Sequence, residues 1–119
     1  MKKILVVEDN EQNLYLMQYI LENNGYEVVI ARNGGEALVL ALQERPDLIL
    51  MDIQLPDIDG LEVTRRIRAS KADGSIPIVA VTSFAMTGDR EQSLKAGCNG
   101  YIEKPINPET FLNEIKKYA

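Results

Sequence analysis

Five short apolar runs alternate with five helix-periodic segments, and this alternation constrains the chain more than any other feature. The runs occupy residues 3–7, 26–31, 48–52, 76–81 and 101–102. Leu48-Ile49-Leu50-Met51 is the most continuous and passes straight into Asp52. An apolar run of this length fits a strand buried on both faces, the kind found inside a parallel sheet. Between the runs, Leu14, Met17, Ile20 and Leu21 recur at helical spacing. So do Ala37, Leu38, Ala41 and Leu42, then Val63 and Ile67, and finally Phe111, Leu112 and Ile115. Residues 85–96 form a less regular fourth helix, with Gly88 near its start and Gly97 beyond its end. Every connection is too long for a hairpin and contains a helix. The fold class is therefore α/β, a doubly wound parallel sheet with helices on both faces.

The punctuation agrees. Residues 10–13 offer N-caps, and Asn23-Asn24-Gly25 ends the first helix. Residues 26–31 are more polar at their ends, as an edge strand is. Asn33-Gly34-Gly35 makes a turn, and Pro46-Asp47 stops the second helix. Gln54, Pro56, Asp57, Asp59 and Gly60 make a polar, turn-rich loop after Asp52. Arg65, Arg66 and Arg68 read as a solvated helix face. Pro108 suits the first position of the last helix, after Asn107.

With 119 residues the chain is one domain, 1–119, long enough to bury a core. No apolar run approaches the ~20 residues of a membrane span. Lys2 and Lys3 precede an apolar run as in a leader peptide, but Glu8-Asp9-Asn10 interrupts it too early, so a cytoplasmic protein is expected. The net charge of −5 argues against sequence-independent binding of nucleic acid. The lone Cys98 excludes an internal disulfide, suits a reducing compartment and reads as a small core residue. There is no histidine. That excludes Ser-His-Asp and Cys-His arrangements, argues against zinc, and leaves oxygen ligands, which favour magnesium or calcium.

Parallel strands bring their carboxyl ends to one edge of the sheet, where ligands bind in open α/β folds. Glu8 and Asp9 follow the first run, Asp52 ends the third, Thr82 and Ser83 follow the fourth, and Lys104 follows the fifth. Taken singly, Asp52 either starts a turn or serves a site, Thr82 is a helix cap or a ligand, and Lys104 is a surface lysine or a counter-charge. If the first and third strands are neighbours, three carboxylates crowd together, and a divalent cation with oxygen ligands is the simplest compensation. Lys104 and Thr82 would add an ammonium and a hydroxyl. This set suits a phosphoryl group, with Asp52 as a nucleophile that forms an acyl phosphate.

Over essentially its whole length the sequence resembles the receiver domain of two-component response regulators. The carriers are Glu8-Asp9, the Asp52 strand with Pro56 and Gly60, Thr82 after Ile78-Val79-Ala80-Val81, and Lys104-Pro105. The resemblance implies a flavodoxin-like (βα)5 sheet with strand order 2-1-3-4-5. It implies Asp52 as phosphoacceptor, and Mg2+, with Mn2+ as a substitute, held by Asp9, Asp52 and the Gln54 backbone carbonyl, with Glu8 acting through water. It further implies Lys104 as phosphoryl-binding lysine with a cis bond to Pro105, Thr82 as switch hydroxyl and Tyr101 as switch aromatic. Gln54, Ser83 and Phe84 stand at positions that vary in the family and tune phosphoryl lifetime. Phe84-Ala85-Met86 also resembles cell-division receivers of the DivK type and receivers fused to hybrid kinases; Phe84 and Met86 alternatively pack the start of the fourth helix.

The expectation is a stand-alone receiver that is not an enzyme in its own right. It takes a phosphoryl group from a histidine kinase or histidine phosphotransferase and assists its own phosphorylation and dephosphorylation. The donor docks near the first helix, with Leu14, Tyr15 and Gln18 as candidates. Output passes to a downstream protein through the face of the fourth helix, fifth strand and fifth helix, with no direct DNA binding and no membrane contact. Met1 favours a complete protein, and the chain ends after the fifth helix, without an output domain. A monomer or a weak phosphorylation-dependent dimer is expected. The rivals are a module excised from a hybrid histidine kinase or longer regulator, an aspartyl-phosphate phosphatase, a pseudo-receiver and a flavin-binding protein. Gln54 stands where the phosphatases place a second acid.

Overall fold

The computed structural model describes residues 2–70, 75–83 and 89–119. Strand β1 (Lys3–Val7) leads to helix α1 (Glu11–Glu22), β2 (Glu27–Ala31) to α2 (Gly34–Glu44) and β3 (Leu48–Asp52) to α3 (Gly60–Ala69). Strand β4 (Ile78–Thr82), α4 (Asp89–Ala96), β5 (Gly100–Glu103) and α5 (Pro108–Lys116) complete the alternation. The five strands form one parallel sheet in the order β2-β1-β3-β4-β5, so β3 is central. This is the flavodoxin-like order that the resemblance implied. The expected start of the fourth helix, including Phe84, Met86 and Gly88, lies outside the described residues.

Side chains alternate across each strand and feed two apolar layers. Leu5, Val7, Ile49, Met51, Ile78 and Ala80 pack against α2 and α3. Ile4, Val6, Leu48, Leu50, Val79 and Val81 pack against α1 and α5 through Leu14, Met17, Phe111 and Ile115. Burying each such side chain contributes about 1.5–3 kcal/mol. β3 and β4 are buried at every position, so the edge that carries Asp52 is fixed from both faces. β2 is half-buried, as an edge strand should be. Cys98 is buried in the first of these layers.

Four local expectations are corrected. Asn33-Gly34-Gly35 is not a separate turn: Asn33 caps α2, accepting from Glu36 N, and both glycines lie in the helix's first turn. Leu42 is 50% exposed, because α2 packs closely through the small residues Gly34, Ala37 and Ala41 and turns Leu42 outward. Arg68 does not face water with Arg65 and Arg66. Its guanidinium donates to the carbonyls of Gly97 (2.9 Å) and Ile76 (2.5 Å) and to Asn99 Oδ1 (2.6 Å). Leu112, expected in the buried stripe of α5, is only partly buried.

Candidate functional site

The sheet register places the four strand ends side by side. Val7 pairs with Met51, Asp52 with Val81, and Thr82 with Glu103. Glu8 N donates to the Ala31 carbonyl at 3.0 Å, and Lys104 N donates to the Thr82 carbonyl at 2.7 Å, so the residues just past β1 and β5 stay on the sheet's edge. Glu8, Asp9 and Asp52 each offer a carboxylate oxygen within 4.8 Å of the others. Glu8 is completely buried and Asp52 is 3% exposed, while Asp9 faces solvent. Lys104 reaches in between them, with Nζ 2.7 Å from Glu8 Oε1 and 3.4 Å from Asp52 Oδ2.

Magnitudes show what governs this cluster. At an effective dielectric of ~20, a carboxylate pair at such separations repels by about 3 kcal/mol, and each Lys104 contact attracts by about 5 kcal/mol. The repulsions and the Lys104 attractions oppose one another, and at Asp52 desolvation is the largest effect. The Asp52 carboxyl is accordingly pushed up to about 7, first by burial and then by hydrogen bonding to Glu8 and its charge. The Gln54 N–H (3.0 Å from Asp52 Oδ1) and the Lys104 charge pull the other way.

Glu8 Oε1 carries the clearest sign of an incomplete site. It is buried and accepts no hydrogen bond among the described residues, because the Lys104 ammonium meets it as an ion pair without hydrogen-bond geometry. A buried carboxylate oxygen left in that state is costly. A donor set of oxygens alone, partly exposed through Asp9, fits a hard divalent cation that keeps water in its shell.

An open polar cleft of about 740 Å³ lies over the cluster and is lined also by Asn10, Asn13, Gln54 and Ser83. Thr82 is buried at the end of β4. Tyr101 is half-buried and packs on the α2–α3 layer. The Lys104-Pro105 peptide bond is cis. Gly60 completes the Asp52 surroundings: a Cβ there would fall on the Asp52 carbonyl oxygen and 2.7 Å from Ile53 Cα, so only glycine lets α3 start so close to the site. Leu14, offered as a docking residue, is 2% exposed and belongs to the core. Asp57 escaped sequence reasoning. Its carboxylate accepts from Gly34 N (2.7 Å) and Gly35 N (2.9 Å), across 23 and 22 residues, a pairing that no local pattern announces.

The sequence pattern of the response regulator receiver domain matches residues 4–116. The chain belongs to that family. Receiver domains are signalling proteins of two-component systems. Over 117 residues this receiver is 50% identical to the polar-differentiation response regulator DivK of Brucella anthropi, covering 98% of this chain and 95% of the relative. Among solved structures it is similar to the receiver domain of sensor histidine kinase PA1611 from Pseudomonas aeruginosa PAO1, determined with a magnesium ion coordinated in the active-site cleft. That similarity is 38% identity and a TM-score of 0.91, over 98% of this chain and 96% of the other. Chemotaxis protein CheY4 of Vibrio cholerae is 30% identical with a TM-score of 0.94, over 100% and 99% of the two chains. Among the described residues, no helix is long and apolar enough to cross a membrane.

Proposed function

We propose that this receiver takes a phosphoryl group onto Asp52 from the phosphohistidine of a histidine kinase or histidine phosphotransferase. The observation that carries the reading is the buried Asp52 carboxylate at the central strand's end, with two more carboxylates and one ammonium within reach. An Asp52 oxygen attacks phosphorus. The O–P bond forms as the P–N bond breaks, and the imidazole nitrogen keeps the electron pair. Asp9, Asp52 and the Gln54 carbonyl would hold Mg2+ (or Mn2+) directly and Glu8 through water, and the bound ion supplies positive charge to the phosphoryl oxygens. Lys104 leaves its contacts with Glu8 and Asp52 for a phosphoryl oxygen. Thr82 donates its hydroxyl to another, and Tyr101 turns inward behind it, which reshapes the α4–β5–α5 face. Gln54, Ser83 and Phe84 tune the lifetime of the acyl phosphate.

The whole chain, 1–119, acts as one receiver domain in the cytoplasm, as a signalling phosphoacceptor that assists its own phosphorylation and dephosphorylation. The donor docks beside the cleft on α1. There Tyr15 (70% exposed) and Tyr19 stack with ring centroids 6.3 Å apart, and Gln18 lies between them in sequence. Output goes to a protein partner, without direct DNA or membrane contact, from a monomer or a weak phosphorylation-dependent dimer. A second reading, a module of a hybrid histidine kinase, is supported by the likeness to the PA1611 receiver.

Intact mass after treatment with acetyl phosphate and Mg2+ tests the proposal. One acid-labile phosphoryl group is expected, absent in Asp52→Asn and reduced in Lys104→Ala. Continuous turnover of an external phosphomonoester without a stoichiometric adduct would instead support the phosphatase rival.

A further inference from the structure

The connection between β3 and α3, residues 53–59, links the Asp52 strand to α3 and carries Gln54 on the cleft wall. Three sets of hydrogen bonds around Gln54 matter here. Gly60 N donates to the Ile53 carbonyl (2.8 Å), which closes the base of the connection. Gln54 N donates to Asp52 Oδ1 (3.0 Å). The far end is held by Asp57, whose two oxygens accept the Gly34 and Gly35 amides at 2.7 and 2.9 Å. Both amides belong to the first turn of α2, where backbone N–H groups lack intrahelical partners and the helix dipole favours an anion. The same two amides hold the Asp57 carboxyl below the usual aspartate range, so the clamp is charged at neutral pH.

A second observation shows that the connection is seated on α2. A Cβ at Gly34 would lie 2.9 Å from Val63 Cγ2, 3.1 Å from Ile58 Cβ and 3.3 Å from Asp57 Oδ1. Helix and connection therefore touch with no space for a side chain between them. Asp57 itself is exposed, so hydrogen bonding, not burial, holds it there.

We propose that Asp57 is a positioning residue for the metal site: clamping the connection onto α2 fixes where Gln54 presents its backbone carbonyl. The inference rests on the reading above, in which that carbonyl is a ligand. A connection ordered in advance spares ligand binding the entropy of ordering it; a loose one loses affinity by that amount. Partners that hydrogen-bond a metal ligand directly typically change affinity roughly 10–100-fold when removed. Asp57 acts one step further out, so a rise in Kd of about three- to ten-fold is expected.

Calorimetric Mg2+ titration of the full chain, well below its melting temperature, tests this. Asp57→Ala should weaken binding by that factor. Asp57→Asn, which keeps one acceptor oxygen, should fall between Asp57→Ala and the parent. Gly34→Ala should weaken binding although Asp57 is intact. In 15N spectra the Gln54 amide should shift in all three. Unchanged Kd in a folded Asp57→Ala overturns the inference, whatever happens to its melting temperature. If Asp57→Ala does not fold, Asp57→Asn and Gly34→Ala decide in the same way. Asp9→Asn separates the two claims: parent binding that Asp9→Asn abolishes supports the metal site, and parent binding that is absent or indifferent to Asp9→Asn overturns the site reading itself.

Discussion

At Asp52, burial and the neighbouring Glu8 act against the Gln54 amide and the Lys104 charge, and burial is the largest effect. The carboxyl rises from 3.8 to about 7, so between those values the folded chain holds a proton that the unfolded chain has released. Stability is then fully present below the unfolded value and falls as pH rises through about 7. Asp52→Asn removes this titration. In metal-free buffer the variant should gain on the order of 2 kcal/mol over the parent at pH 8, with little difference at pH 4, read from thermal melts. An equal gap at both pH values would contradict the assignment. The carboxylates and the lysine were legible in the sequence because each stands at the end of an apolar run. The Lys104 contact with the unsatisfied Glu8 oxygen was not, because it depends on how side chains from β1 and β5 reach across β3 and β4.

Among the elements, α3 shows where pattern reading runs out. Its apolar positions Val63 and Ile67 are buried as the spacing requires. Its arginines share a composition but not a role. Arg65 and Arg66 pair with Glu62 on the surface, while Arg68 joins α3 to the segment just before β4 and to the loop before β5. Asn99 links both sides, since its Oδ1 also accepts from Ile78 N at 2.9 Å. These partners lie 8 to 31 residues away, beyond any helical period. Arg68→Ala should cost about 1–3 kcal/mol in urea unfolding, because the carbonyls lose a charged donor. Arg68→Lys should recover little of it, since an ammonium cannot reproduce the fork. Full recovery by lysine would show that charge, not geometry, holds the junction. α2 makes the complementary point. Helical spacing grouped Leu42 with Ala37, Leu38 and Ala41, but close packing through small residues buries the alanines, leaves Leu38 half-buried and turns Leu42 outward.

At the scale of the molecule, the alternation of strands and helices dictated the parallel sheet, and parallelism alone brought the chemistry-bearing residues to one edge. Strand order did not follow from spacing; it came with the family likeness and agrees with the register. The shape of the loops around the cleft was hidden, because Asp57 and Gly34 meet only after β2, β1 and β3 are assembled. A cation that binds the folded edge and not the unfolded chain must stabilise the whole domain. At ten times its Kd, Mg2+ should add about 1.4 kcal/mol and raise the melting temperature, reversibly with chelator. The increase should vanish in Asp9→Asn.

The central claim is that phosphoryl chemistry takes place on the Asp52 carboxylate. An acyl phosphate is reduced by borohydride to an alcohol, so an aspartyl phosphate leaves homoserine at its own position. The chain treated with acetyl phosphate and Mg2+, reduced and digested, should yield a peptide with homoserine at position 52 and at no other aspartate. Homoserine elsewhere with an unmodified Asp52, or a stable phosphoryl adduct that survives borohydride, would contradict it.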